Sequence, residues 1–122
     1  TVKSSRYGRY TTMTFRNAEE SHEHSLQTLN TLFEYDDFMM SVGTLIDLGC
    51  GSGLDLEWWA TRFTRDDNPQ PLNIRCTGVD TINTPSVIKR HSNLSYQQTD
   101  FENSLVTPNN AKYDVLWSHD SF

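Results

Sequence analysis

The stretch TLIDLGCGSGLDLEWW, residues 44–59, constrains the fold of this chain more than any other segment. Its first five residues, Thr44–Leu48, are a short apolar run with the length of a buried β-strand. Three glycines follow at alternate positions, and apolar side chains then recur four residues apart, which predicts a helix from Leu54 to about Phe63. A strand that turns through glycines into a helix presents backbone N–H groups, and a ligand can lie against them. The glycines are Gly49, Gly51 and Gly53.

The rest of the chain alternates helices with further strands. A capping box that begins at Asn17 precedes apolar residues at helical spacing, which predicts a helix over Ala18–Tyr35. The pair Thr84–Pro85 suits an N-cap and first turn, which predicts a short helix to about His91. Further strands are predicted at residues 74–80, 94–98 and 113–117. This alternation predicts an α/β fold, a three-layer, Rossmann-like, doubly wound sheet with mostly parallel strands.

The composition narrows the classes of partner. The formal net charge is −6 and the basic residues are dispersed, which argues against nucleic acid as a partner. No apolar run approaches the roughly 20 residues that span a bilayer, so we expect no membrane association. Cys50 and Cys76 form no CxxC pattern, which predicts free thiols and neither a disulfide nor a metal site. These features together predict a cytoplasmic protein.

Three acidic residues stand at or near the ends of the predicted strands. Asp47 lies inside the first strand, Asp80 ends the second and Asp100 directly follows the third. Because doubly wound sheets bind ligands outside the carboxyl ends of their strands, we expect these side chains at one site. The pattern acid-x-Gly-x-Gly-x-Gly differs from the GxGxxG dinucleotide fingerprint in the position of its third glycine. It resembles motif I of the class I S-adenosylmethionine-dependent methyltransferases.

This resemblance implies an enzyme that binds S-adenosylmethionine at the glycines and transfers its methyl group to a small molecule. An acid at the position of Asp80 accepts hydrogen bonds from ribose hydroxyls in such folds. The resemblance further implies that Asp100 meets the adenine amino group and that Phe101 flanks the ring. The candidate cofactor-binding residues are Asp47, Gly49, Cys50, Gly51, Gly53, Asp80, Thr81, Asp100, Phe101, Ser118 and Tyr10.

The last predicted strand carries a second resemblance. Its segment DVLWSHDSF is similar to the DVVWSQDAF-type segment of methyltransferases that act on small amines such as sarcosine or dimethylglycine. Phosphoethanolamine methyltransferases have a related segment. The resemblance implies that Ser118, His119 and Asp120 lie where the methionine end of the cofactor meets the acceptor, although His119 replaces a frequent Gln. His119 and Asp120 are the candidate general bases for an acceptor that arrives protonated.

The resemblance covers residues 43–122 and also implies a division of the chain. Residues 1–40 are predicted to form an N-terminal segment and helix that cap the site, with Arg9 and two tyrosines, Tyr7 and Tyr10, as candidate lid residues. Residues 41–122 are predicted to form the cofactor-binding domain. Because members of the family continue with further strands, the sheet is predicted to be truncated after its fourth strand. A missing C-terminal half or a second copy of the chain would cover that edge.

Two other classes of function stay open. A nicotinamide-dependent oxidoreductase is disfavoured by the glycine spacing, and a non-catalytic Rossmann-like binding or assembly protein is compatible with the short chain. His22 and His24 are predicted to lie on different helix faces at the surface, and Asp55 to face solvent. The tryptophans are predicted to pack in the core or on the sheet: Trp58, Trp59 and Trp117.

Overall fold

The computed structural model describes residues 2–6, 9–13, 17–100 and 113–119. Within these ranges the elements follow in the order β1 (Val2–Arg6), β2 (Arg9–Met13), α1 (Ala18–Tyr35), a 3-10 helix (Asp37–Ser41), β3 (Thr44–Leu48), α2 (Leu54–Ala60), β4 (Arg75–Asp80), a second 3-10 helix (Ser86–Arg90), β5 (Leu94–Gln98) and β6 (Val115–Trp117). β1 and β2 pair antiparallel as a separate two-stranded sheet. The sequence-based prediction lacks these two strands, because residues 1–16 show no clean hydrophobic period.

The strands from β3 onward form one parallel sheet in the order β5-β4-β3-β6. Leu45 of β3 lies opposite Cys76 of β4 on one side and Val115 of β6 on the other. The chain runs outward from β3 through β4 to β5 and then continues on the opposite side of β3. Strand order therefore reverses between β3 and β6. This is the predicted α/β, Rossmann-like arrangement, in which ligands bind at such a reversal, outside the carboxyl ends of the strands.

Helix α1 begins and ends at the predicted residues because both of its ends are capped. The Asn17 side chain accepts the N–H of Glu20 at 2.9 Å, a capping contact that stabilises a helix by about 1 kcal/mol. At the other end the N–H of Asp36 donates to the carbonyl of Leu32 at 2.9 Å. The Asp36 carboxylate in turn accepts the N–H of Phe38 at 3.0 Å and so begins the first 3-10 helix.

Helix α2 ends at Ala60, earlier than predicted. The Thr61 hydroxyl and the Arg62 guanidinium donate to carbonyls of the last turn at 2.9 and 2.7 Å, so side chains satisfy groups that a longer helix would use. The sequence predicts that Phe63 is the last apolar residue of this helix. It pairs instead with Pro71 in an isolated antiparallel bridge and is exposed.

Two other predicted elements are shorter or tighter than expected. The segment after β4 is a 3-10 helix over Ser86–Arg90, and Pro85 rather than Thr84 occupies its N-cap position. The extended backbone at Pro85, with φ of −64° and ψ of 147°, delays the start of the helix. The last strand begins at Val115 instead of Tyr113.

The main hydrophobic core lies between the helices α1 and α2 and one face of the parallel sheet. Phe33 of α1 packs edge-on against Trp58, with ring centroids 5.1 Å apart. Trp59 is fully buried, and Trp117 of β6 packs against it at 5.9 Å. The three tryptophans therefore pack in or against the core, as predicted. A smaller group is buried on the other face of the sheet: Ile46, Leu48 and Val79.

Side chains fix β6 to β3 at both ends of the strand. Before β6, one oxygen of Asp114 accepts the N–H groups of Gly43 at 2.7 Å and Thr44 at 3.1 Å. The hydrogen bond from Gly43, followed by that from Thr44, lowers the pKa of the exposed Asp114 carboxyl. After β6, the Ser118 hydroxyl donates to the carbonyl of Leu48 at 3.0 Å. The carboxyl ends of β3 and β6 are thereby held side by side.

Candidate functional site

The glycine turn, residues 49–53, bends from β3 onto the end of β4. The N–H groups of Gly49 and Cys50 both donate to the carbonyl of Val79, at 2.7 and 3.1 Å. Such a turn needs residues that tolerate positive φ. Three of its residues have that conformation: Gly49 (74°), Gly51 (55°) and Gly53 (86°).

The glycines of this region differ in what surrounds them. A Cβ atom on Gly53 would collide with Cγ1 of Val87, and one on Gly78 of β4 would lie 2.7 Å from the sulfur of Cys50. These two glycines therefore permit close packing. A Cβ on Gly51 would meet no described atom within 4 Å. Gly51 thus exposes its backbone to open space, and a ligand can approach there.

Asp80 links the glycine turn to the end of β4. Its Oδ2 accepts the N–H of Gly51 at 2.9 Å, and its Oδ1 accepts the N–H of Thr81 at 2.7 Å. A carboxylate has about four acceptor positions, so these two bonds fix its orientation and leave further lone pairs. Asp80 therefore presents a fixed carboxylate beside the open space at Gly51.

Asp47 is a buried carboxyl group within β3, only 2% exposed. None of the described residues donates a hydrogen bond to it. Burial, and after it the charges of Asp55 and Asp80, raise the pKa of Asp47 well above its ordinary value. The charges of Asp55 and Asp80 add negative potential at the carboxyl end of β3, which favours a ligand with positive charge.

The two cysteines are free thiols, as predicted. Burial is the main cause that raises the pKa of Cys50 to about 12, and the charges of Asp47 and Asp80 add to it. Burial followed by the charge of Asp47 likewise raises the pKa of Cys76 to about 12. Both thiols are therefore protonated at neutral pH and are unsuited to act as nucleophiles.

The structure brings the end of β5 to the same edge of the sheet. The N–H of Thr99 donates to the carbonyl of Asp80 at 2.9 Å, and Asp100 follows as an exposed residue. Thr81, also exposed, contacts Asp80 with its N–H and, at 3.4 Å, with its hydroxyl. Tyr10 lies in β2, where it pairs with Ser5. The predicted site residues Phe101 and Asp120 and the candidate lid residue Tyr7 lie outside the described residues.

His119, a candidate general base, lies against α1. Its Nε2 is 3.1 Å from the carbonyl oxygen of Ser21, and because a carbonyl only accepts, this nitrogen is the donor. The imidazole also stacks on His24 at 5.5 Å and on Trp117 at 6.3 Å. Its Nε2 proton is therefore engaged with helix α1.

A polar cluster that the sequence analysis missed joins α1, α2 and β6. His22 and Asp55 were predicted to face solvent, yet their side chains are only 20% and 12% exposed and pair through Nδ1 and Oδ1. The Ser25 hydroxyl donates to the same oxygen at 2.8 Å, and Nε1 of Trp117 donates to Oδ2 at 3.0 Å. The surface assignment of His22 and Asp55 is therefore wrong, because packing of α1 on α2 turns them toward each other. The spacing of His22 and Ser25, three residues apart on one face of α1, is the available signal.

Comparison of the chain with protein-family models, with curated proteins and with solved structures finds no match. Among the described helices, none combines the length and apolar character needed to cross a membrane. Within the described ranges, no three His, Cys, Asp or Glu side chains are grouped so that they could hold a metal ion.

Proposed function

We propose that this chain binds S-adenosylmethionine and transfers its methyl group to a small-molecule acceptor, of which amines are the favoured class. The observation that carries the proposal is the arrangement of Gly51 and Asp80. The backbone at Gly51 faces open space, and its N–H is held at 2.9 Å by a carboxylate at the end of the neighbouring strand. A fixed carboxylate at that position suits the two adjacent hydroxyls of a ribose.

The charges of the residues present also support this cofactor. S-adenosylmethionine carries an ammonium, a sulfonium and one carboxylate, so its net charge is positive, and the carboxyl groups of Asp47 and Asp55 lie at the carboxyl end of β3 with Asp80. Positive groups of the cofactor would relieve the mutual repulsion of these carboxylates. A dinucleotide would instead bring its pyrophosphate to the same turn and add negative charge. The electrostatics therefore favour the sulfonium cofactor over a nicotinamide dinucleotide.

In the proposed mechanism the protein mainly binds and orients. The cofactor supplies a methyl group on a positively charged sulfur, whose release needs no covalent intermediate with the protein. Asp80 orients the ribose, and the glycine turn lets the ligand lie against the backbone. The bond from Ser118 to the carbonyl of Leu48 keeps the ends of β3 and β6 together, so that both border the space for the acceptor.

Calorimetric titration with S-adenosylhomocysteine, the demethylated form, tests cofactor binding directly. We expect micromolar affinity for the unaltered chain and binding that is about tenfold to hundredfold weaker for Asp80→Ala, which removes the ribose acceptor. The control is Asp66→Ala, which removes one exposed carboxylate in the loop after α2. Its affinity should be unchanged.

The same titration separates the alternatives. Binding of NAD in preference to S-adenosylhomocysteine would identify an oxidoreductase-type site and overturn the proposal. If the folded chain binds neither, a non-catalytic Rossmann-like protein becomes the better interpretation. Where binding is seen, transfer of labelled methyl groups to sarcosine and dimethylglycine tests the acceptor class.

A further inference from the structure

The polar cluster between α1, α2 and β6 contains a histidine–carboxylate pair, His22 and Asp55, here called the switch-point pair. Asp55 lies in the first turn of α2, two residues after Gly53. It is held by three donors from two other elements: Nδ1 of His22, the hydroxyl of Ser25 and Nε1 of Trp117. Its carboxylate is therefore fixed in orientation by its surroundings.

The position of this pair coincides with the reversal of strand order. Trp117, which donates to Asp55, lies in register with Asp47 on β3, and β3 and β6 are the strands between which the order reverses. The pair thus stands beside the crevice where doubly wound sheets bind ligands. It lies on the β6 side of the glycine turn, and Asp80 lies on the β4 side.

The hydrogen bond to Asp55 determines which nitrogen of His22 is basic. A carboxylate only accepts, so Nδ1 carries the proton, and in the neutral ring the lone pair is on Nε2. No described residue binds Nε2, and one fifth of the side chain is exposed. The titratable group in contact with His22 is Asp55 on α2; Glu19 and Glu23 lie on α1 itself, and His119 contacts the neighbouring Ser21. His119 differs because its Nε2 is already a donor to α1.

We propose that His22 accepts the proton of the methyl acceptor through Nε2, with Asp55 as its positioning residue. This inference rests on the proposed methyl transfer. The acceptor ammonium gives its proton to Nε2 and becomes a neutral amine. The amine lone pair then forms the new N–C bond, the C–S bond breaks and its electron pair stays on sulfur, which becomes a neutral thioether. His22 is left as an imidazolium, which Asp55 stabilises.

The substitution His22→Asn separates a proton acceptor from a structural residue. The amide nitrogen of Asn is close to the position of Nδ1, so it retains the donor to Asp55 and removes Nε2. We expect an unchanged melting temperature, unchanged binding of S-adenosylhomocysteine, and methylation of sarcosine or dimethylglycine about 10²- to 10⁴-fold slower at neutral pH. The loss should shrink as the pH rises and the acceptor deprotonates in solution.

A matched control is the histidine that pairs with Glu57, a second carboxylate of α2. His91 pairs with Glu57 through Nε2 at 2.8 Å, and it leads into the amino end of β5, away from the carboxyl ends of the strands. His91→Gln retains a donor near that position and should leave the methylation rate unchanged. An equal loss in His91→Gln and His22→Asn would contradict the specific role of His22.

The tautomer of His22 gives a test that needs no activity. Long-range ¹H–¹⁵N spectra of the neutral ring should show a protonated Nδ1 and an unprotonated Nε2, and Asp55→Asn should change that tautomer. A proton on Nε2 in the unaltered chain would overturn the inference. So would methylation that His22→Asn leaves at the original rate and pH profile, in a chain that binds S-adenosylhomocysteine. Absence of that binding would instead defeat the proposed function itself, and the inference with it.

Discussion

At the amino end of the parallel sheet, Asp114 and Asn93 direct their polar atoms to backbone groups. Asp114 accepts two N–H groups that flank the start of β3, and the Asn93 amide donates to the carbonyls of Ala60 at 3.0 Å and Ile74 at 2.8 Å. These bonds connect consecutive elements and satisfy backbone groups that would otherwise lose hydration. The chemistry at this end serves the stability of the fold.

The carboxyl end of the same sheet is built differently. Three glycines adopt positive φ, and Asp47 is buried with no donor among the described residues. The two ends thus shift carboxyl pKa values in opposite directions, upward for Asp47 and downward for Asp114. A buried carboxyl group with a strongly shifted pKa, beside backbone that is free of side chains, is typical of sites that bind ligands. This difference is one reason to place the proposed ligand site at the carboxyl end of the sheet.

The largest expected loss of stability follows from a substitution in the switch-point pair. Asp55→Ala removes the acceptor for His22, Ser25 and Trp117 and should lower the free energy of unfolding by about 2–4 kcal/mol. Glu57→Ala, on the same helix but with a more exposed carboxylate, should cost about 0–1 kcal/mol. Urea unfolding of both variants measures the difference. Equal losses of unfolding free energy in the two variants would show that the three donors to Asp55 add no stability beyond that of an exposed ion pair.

Substitution of Asp47 is expected to have a smaller effect on stability, and of the opposite sign. Because the pKa of Asp47 is higher in the folded than in the unfolded state, the contribution of this carboxyl group to stability falls as the pH rises above the unfolded pKa toward the folded pKa. Asp47→Asn cannot ionise and should raise the melting temperature at neutral pH, with little gain near pH 4. Calorimetric melting across that range measures the change. A lower melting temperature at neutral pH would contradict the assigned cause.

The smallest effect is expected at the exposed Asp114. Its folded-state pKa is lowered, so its contribution to stability is present above the unfolded pKa and is lost as the pH falls through the folded pKa. Asp114→Asn should therefore melt slightly earlier at neutral pH, and the difference should vanish in acid. The sign of this pH dependence is opposite to that of Asp47→Asn. The same dependence in both variants would remove the contrast between the two ends of the sheet.

The sequence predicts the fold well where the hydrophobic period agrees with the capping and turn residues at the ends of an element. The bounds of α1 and β3 match the prediction, since a capping residue opens the helix and glycines flank the strand. The antiparallel pair of β1 and β2 is missed because its polar sequence has no alternating apolar face. The end of α2 is misplaced because Thr61 and Arg62 take its last carbonyls, a contact that apolar spacing cannot indicate.

In the candidate site as well, some residues are predictable from local sequence and others are brought together only by tertiary packing. The glycine turn and Asp80 are predictable, because the order of strand, turn and acid along the chain places them at one edge of a parallel sheet. The switch-point pair is not, because His22 and Asp55 are 33 residues apart and meet only when two helices pack. Amphipathic patterning alone predicts that a charged residue faces solvent. Asp55 instead faces hydrogen-bond donors from two other elements, α1 and β6.

The position of β6 beside β3 has a consequence for how the chain is made. The contact between Gly43 and Asp114 spans 71 residues, whereas β4 lies much nearer in sequence. At roughly 5–20 residues per second, a ribosome needs on the order of 4–14 s to deliver β6 after β3. During that time one edge of an apolar strand, with Leu45 and Ile46, has no partner. The nascent chain is exposed to intermolecular strand pairing during that time, and a chaperone that occupies this edge would protect it.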